Sequence, residues 1–251
     1  VRAADSSAPG TLILALSLVS AAPAEMTPLL SQAMQGEGQP ELRLGYARHL
    51  IGLPQHDEAL RQLTRLNAEH PSFADGWLVH GLLLQETDQL AHAEQKLRKH
   101  VELAQASQDK EVQSQLAEAL LALTQIAQRQ GQLPQAEQWL AQVPSDADPI
   151  KLASRRADLL TQQGRMEEAR QVLVQIKTTN AEQVTRKTLV QSMWLRDNKR
   201  LDDAYNLLKQ ALNAQPQNTD LMSEMAMVSE KLERFDEMES VLRELMKLKP
   251  E

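Results

Sequence analysis

The sequence predicts an all-α protein built as an array of helix pairs. Composition is the first reason. Only 3% of the 251 residues are aromatic and only nine are glycine, whereas sheets draw on aromatic and β-branched residues with Gly-rich turns. Ala, Leu, Gln and Glu dominate instead, and these lose little rotamer freedom in a helix. The second reason is a recurring local pattern, a small polar turn followed by an acid, a small residue and apolar residues three to four apart. It reads "HDEALRQLTRL", "LAHAEQKLRKHVEL", "LPQAEQWLAQV", "MEEARQVLVQI", "LDDAYNLLKQAL" and "FDEMESVLREL". The third is its period. The central residues Ala59, Ala93, Ala136, Ala169, Ala204 and Met238 follow one another at 34, 43, 33, 35 and 34 residues. Self-similarity at a fixed period of this length marks a repeat architecture.

The units follow in chain order. Stepping back 33 residues from Ala59 reaches Met26 in "AEMTPLLSQAM", which registers with "DEMESVLRELM" around Met238. This predicts a degenerate first unit whose first helix covers residues 7–20, with a turn around Pro23. The same stretch, "GTLILALSLVSAAPAEM", also has the shape of a secretory signal peptide and its cleavage site. Its flank "VRAADSSAPG" holds one Arg, one Asp and no initiator Met, a poor positive region, and the register favours the repeat. Thr27-Pro28 reads as an N-cap and first helical residue, so the second helix of this unit is short or begins late. The Ala59 and Ala93 units carry small residues on their first helices, Ala47 and Gly81, and the first of them ends at Pro71. The Ala136 unit follows an insertion near 106–116, in "QASQDKEVQSQ". With no Pro or Gly there and Asp109 placed to cap, a projecting first helix over about 110–130 is expected, a hinge being the alternative. Gly131 and Gly164 mark turns within pairs. The last three units bring Ala157, Ser192 and Ala226 on their first helices, and Pro216 and Pro250 at their ends, where proline stops a helix.

With Trp77 and Gly81 ahead of Ala93 and the recurrent small residues and prolines, the chain resembles the tetratricopeptide-repeat (TPR) family over nearly its whole length. The resemblance implies a right-handed superhelical solenoid of about seven units, residues 1–251 forming one array, with first helices lining a concave groove. By family position, that groove is expected to be lined by Arg48, Leu78, Leu82, Gln85, Leu121, Gln125, Ser154, Asp158, Leu189, Met193, Arg196 and Met227. Arg155 and Arg186 fall at its edge. The family's carboxylate clamp for acidic chain termini needs Lys and Asn at two set positions of one unit, and no unit here has both. The remaining Leu, Met and Arg surface suits varied apolar partners. Helical spacing alone leaves groove and inter-repeat core open for each of these residues.

The segment "DLMSEMAMVSEKLERFDEME", within the last sixty residues, resembles the central part of large TPR proteins of Gram-negative proteobacteria. Some are outer-membrane lipoproteins facing the periplasm, and one kind is an adaptor for a carboxyl-terminal processing protease. The resemblance implies a periplasmic scaffold, anchored through a segment upstream of Val1 since the chain has no cysteine; a cytoplasmic location is the alternative. Further repeats follow this segment in that family, so an apolar end face is expected around Val241, Leu242, Leu245 and Met246. Contact with another molecule would cover it, which makes self-association through an array end an expectation.

A net charge of −7 disfavours nucleic acid as a partner, and direct membrane insertion is not expected. Without cysteine there is no disulfide, thiolate nucleophile or Cys-bound zinc. All six His lie between His49 and His100, none three or four apart, so no helical metal pair is expected. His80 and His100 read as hydrogen-bonded core residues. Trp139 and Trp194 fall outside the consensus core slots and read either as partner anchors or as packing between repeats. With no P-loop, nucleophile elbow or zinc motif, no catalytic residue, metal or cofactor is expected. The predicted function is a non-enzymatic scaffold that binds a partner protein or extended segment. A spacer or self-associating module is the alternative.

Overall fold

A computed structural model of the protein describes residues 40–53, 55–144 and 146–248. The expected first unit, with its anchor Met26 and its helix over residues 7–20, lies outside the described residues, as does Pro250. The chain divides into two compact units between Pro144 and Ser145. In unit 1, α1 (Pro40–Gly52) pairs with α2 (His56–Glu69), α3 (Ala74–Glu86) with α4 (Leu90–Ala106), and α6 (Leu116–Arg129) with α7 (Leu133–Ala141). The short α5 (Lys110–Ser114) sits in the insertion. Unit 2 pairs α8 (Pro149–Gln162) with α9 (Met166–Val174), α10 (Ala181–Asp197) with α11 (Leu201–Ala214), and α12 (Thr219–Lys231) with α13 (Phe235–Leu248). No strand occurs among the described residues.

The repeat signature explains the pairing. Ala59, Ala93, Ala136, Ala169 and Ala204 are all fully buried, because a methyl side chain lets the first helix of each pair come close. Gly81 carries the same logic further. A Cβ there would lie 2.6 Å from Leu97 Cγ and 3.2 Å from the Leu97 backbone nitrogen. Met238 breaks the series: it is half-buried, and α13 contains no buried residue.

Five pairs share one turn. Asp88, Gly131, Gly164, Lys199 and Glu233, the same repeat position, all have φ between 59° and 77°. The next N–H closes back onto the first helix in each case: Gln89 to Leu84 O, Gln132 to Ala127 O, Arg165 to Leu160 O, Arg200 to Leu195 O and Arg234 to Ser229 O, at 2.8–2.9 Å. This is the Schellman closure, which satisfies a terminal carbonyl. Glycine adopts that φ freely, while the other three residues hold it at a cost.

The long projecting helix expected over 110–130 is replaced by α5 and α6 with a break at Gln115. Asp109 does cap, accepting from the Glu111 N–H at 2.8 Å. But α5 buries nothing, and Val112 is its one apolar residue. Burial begins only in α6, through Ala119, Leu120, Leu123 and Ile126. Helix stability in a protein comes mainly from such packing, so the continuous helix is not held.

Candidate partner-binding face

First helices touch first helices within each unit: α1 with α3 and α3 with α6, then α8 with α10 and α10 with α12. One repeat position bonds across these seams. Gln85 donates to Gln125 at 3.0 Å. Thr161 accepts from Trp194 Nε1 at 2.8 Å. Arg196 grips both Glu224 oxygens at 2.7 Å, and Ser192 donates to the same carboxylate at 3.1 Å. The Glu224 side chain is 4% exposed and that of Arg196 13%. A charge so placed is tolerable only because the fork and the hydroxyl satisfy it.

The predicted groove residues separate into two kinds. Arg48, Met193 and Met227 are exposed. Leu82, Gln85, Leu121, Gln125, Ser154, Arg155, Asp158, Arg186, Leu189 and Arg196 are half-buried. Leu78 is a correction. It is buried within a core cluster with Leu97 and Leu123, so its area is used inside unit 1 and is not on offer to a partner. Of the two readings open for Trp194, packing holds: it sits in the core of unit 2 with Ile150 and Leu173. Trp139 is partly buried against core residues, with the Arg98 guanidinium 5.0 Å from its ring.

Charge on the unit 2 face is largely paired. Arg186 meets Asp148, which also caps α8. Asp158 has Arg155 at 3.5 Å; burial pushes its carboxyl above the usual range, Arg155 opposes this, and Asp197 adds to it. Against this paired background Met193 and Met227 stand 46% and 45% exposed, at the same repeat position of α10 and α12. His80 and His100 are core residues. Asn67 Nδ2 lies 3.0 Å from His80 Nδ1, and His100 Nδ1 lies 3.0 Å from Ala74 O. Burial holds the His80 imidazole down at about 4. Among the described residues no group of three His, Asp or Glu side chains converges to hold a metal ion. No described helix is long and apolar enough to cross a membrane.

Glu224 was not singled out from sequence. The available signal was an acid between Met222 and Met225 on the buried stripe of α12, with Arg196 placed to answer it 28 residues earlier.

A tetratricopeptide-repeat protein from Parabacteroides merdae has the same fold, with TM-score 0.61 and 17% identity, over 89% of this chain and 86% of that one. The chain has the tetratricopeptide-repeat fold. The Pseudomonas aeruginosa pilF structure gives TM-score 0.57 at 16% identity, over 90% of this chain and 98% of that one. A chain of the APC/C Cut9–Hcn1 hetero-tetramer gives 0.57 at 16%, over 98% of this chain. The chain spans 44% of that relative. A family profile for the Psidin N-terminal TPR repeats region matches residues 151–251. No curated protein sequence matches the chain.

Proposed function

We propose that the protein is a non-enzymatic interaction scaffold that binds a partner protein or extended segment on the first-helix face of unit 2. One observation carries this reading: Met193 and Met227 are half-exposed at equivalent positions of adjacent first helices. Thioether side chains are flexible and polarisable, and they form surfaces that repack around different apolar groups. The Arg196–Glu224 pair beside them fixes the spacing of α10 and α12 and adds no free charge to the face. TPR arrays act by binding, which supports a scaffold over an enzyme. The resemblance of the carboxyl-terminal segment extends the proposal to a periplasmic adaptor, outer-membrane anchored, serving a carboxyl-terminal processing protease or its substrates.

Capture from a Gram-negative envelope extract tests it. Wild type should retain a protease or substrate partner, and Met193→Asp with Met227→Asp should lose it while keeping its helical signal. Equal capture by both proteins would contradict the assignment of this face. The second reading, self-association, draws on α13. There Phe235 is 58% and Met246 71% exposed. Light scattering across protein concentration decides it: a mass that grows with concentration favours self-association, and a constant monomer mass excludes it.

A further inference from the structure

Gln191, Trp194 and Leu195 share one side of α10, and by the helical period Met193 falls on the opposite side. On the side away from Met193 the three residues line a cavity of about 200 Å³ within unit 2. The last turn of α9 closes it on one flank through Leu173, and α11 on the other through Leu207. Helix α9 runs for nine residues where α11 runs for 14, and its end residue Val174, which also lines the cavity, is left 52% exposed. The lining is apolar where it is deep, with Leu173 and Trp194 buried. It is charged where it is open, with Arg170, Arg200 and Asp203 all partly in solvent.

Both guanidiniums are already held in place. Arg170 donates through Nε and Nη2 to Glu167, and Arg200 through Nε to Asp203 at 2.7 Å. These bonds fix the two forks and leave both Nη groups of Arg200 and Nη1 of Arg170 without an acceptor among the described residues. Asp203 is the one acid in the lining, so the lining carries two cations to one anion in a chain of net charge −7. The field of the helices agrees. Arg200 immediately precedes α11, whose first turn is the positive end of its dipole. The negative end of α9 is answered by Lys187, which donates to Val174 O and Ile176 O.

We propose that this cavity binds a small monocarboxylate carrying one apolar group about the size of a phenyl ring. The ring lies among Trp194 and the leucines, and the carboxylate takes the open donors of Arg200 and Arg170. An apolar cavity of about 150 Å³ holds benzene, so the volume suits one such group. The site lies off the partner-binding face, and the scaffold reading stands or falls without it.

Nitrogen–proton correlation NMR of the full chain tests it, by titration with 3-phenylpropionate, 3-phenylpropanol and 3-phenylpropylamine, which differ only in their head groups. The readout is the indole N–H of Trp194, assigned through Trp194→Phe, with Trp77 and Trp139 as internal controls. The carboxylate should move the Trp194 signal alone, with a Kd of roughly 1 mM for a ligand of this size. It should bind about fivefold tighter than the alcohol, and the amine weakest. Arg170→Gln with Arg200→Gln replaces two exposed ion pairs that contribute little to the fold, and it should bring the carboxylate to the level of the alcohol. Val174→Phe should weaken all three by filling the cavity. Equal binding of the three head groups overturns the proposal, as does a carboxylate preference that survives the double glutamine variant. Shifts at Trp77 and Trp139 as large as at Trp194, or no shift at all, overturn it too.

Discussion

Among the described residues, units 1 and 2 each comprise three helix pairs built on the same repeat, but they join their first helices with different chemistry. Between its first helices unit 1 uses a neutral pair, Gln85 with Gln125; Asn67 with His80 joins successive pairs, and inside pairs His100 meets Ala74 O while a buried Arg43 reaches Gln62 and Glu69. Unit 2 uses charge, with Arg196 and Ser192 converging on a buried Glu224. The repeat specifies where helices meet. It leaves free what the meeting side chains are, and so two units of one fold acquire different sensitivities and present different surfaces.

The largest expected effect lies in unit 2. Glu224→Ala leaves the Arg196 guanidinium in a nearly dry seam without its anion, and breaking a buried pair this way costs about 3–5 kcal/mol. Urea denaturation followed by Trp194 fluorescence, with Trp77 and Trp139 replaced by Phe, should show a large fall in the unit 2 midpoint. An unchanged midpoint would mean that the pair is not what holds α10 to α12.

Acid separates the units next. The unfolded His80 imidazole protonates near its ordinary 6.5, the folded one at about 4. Between those values the unfolded chain binds more protons. Unit 1 therefore keeps this stabilisation above pH 6.5 and loses about 3 kcal/mol of it as pH falls to 4. The buried His100 is shifted the same way. Unit 2 contains no histidine, and Asp158, whose folded carboxyl titrates high, moves it in the opposite direction as pH falls. Hydrogen exchange at pH 7 and pH 4.5 should show unit 1 loosening ahead of unit 2.

Gly81→Ala is expected to cost unit 1 about 2 kcal/mol. Overpacking against Leu97 outweighs the roughly 1 kcal/mol of better helix propensity. Gln85→Ala should cost about 1 kcal/mol, the scale of one neutral hydrogen bond, well below the Glu224 variant. Smallest and opposite in sign, Lys199→Gly should stabilise unit 2 by about 1 kcal/mol, because its φ of 61° suits glycine. Thermal denaturation measures all three.

Much of the fold was legible because the repeat imposes strong local rules. The buried alanines, the glycine at Gly81 and the turn glycines mark helix pairs wherever they recur. Two local failures have one cause. The α5–α6 break and the burial of Leu78 depend on which apolar residues find a partner, and a spacing pattern does not contain that information. Burial of Trp194 follows likewise from the bond its indole makes with Thr161, 33 residues away. The methionine face was readable as a list of positions, but its separation from the core needed the structure.

The central claim is that partners meet the first-helix face of unit 2. A photo-crosslinking amino acid placed in turn at Met193, Met227 and Val174 tests it directly. Val174 is 52% exposed and ends a second helix, so exposure is matched while the face differs. The account predicts covalent partner adducts from 193 and 227 and none from 174. Adducts from 174 alone would contradict it.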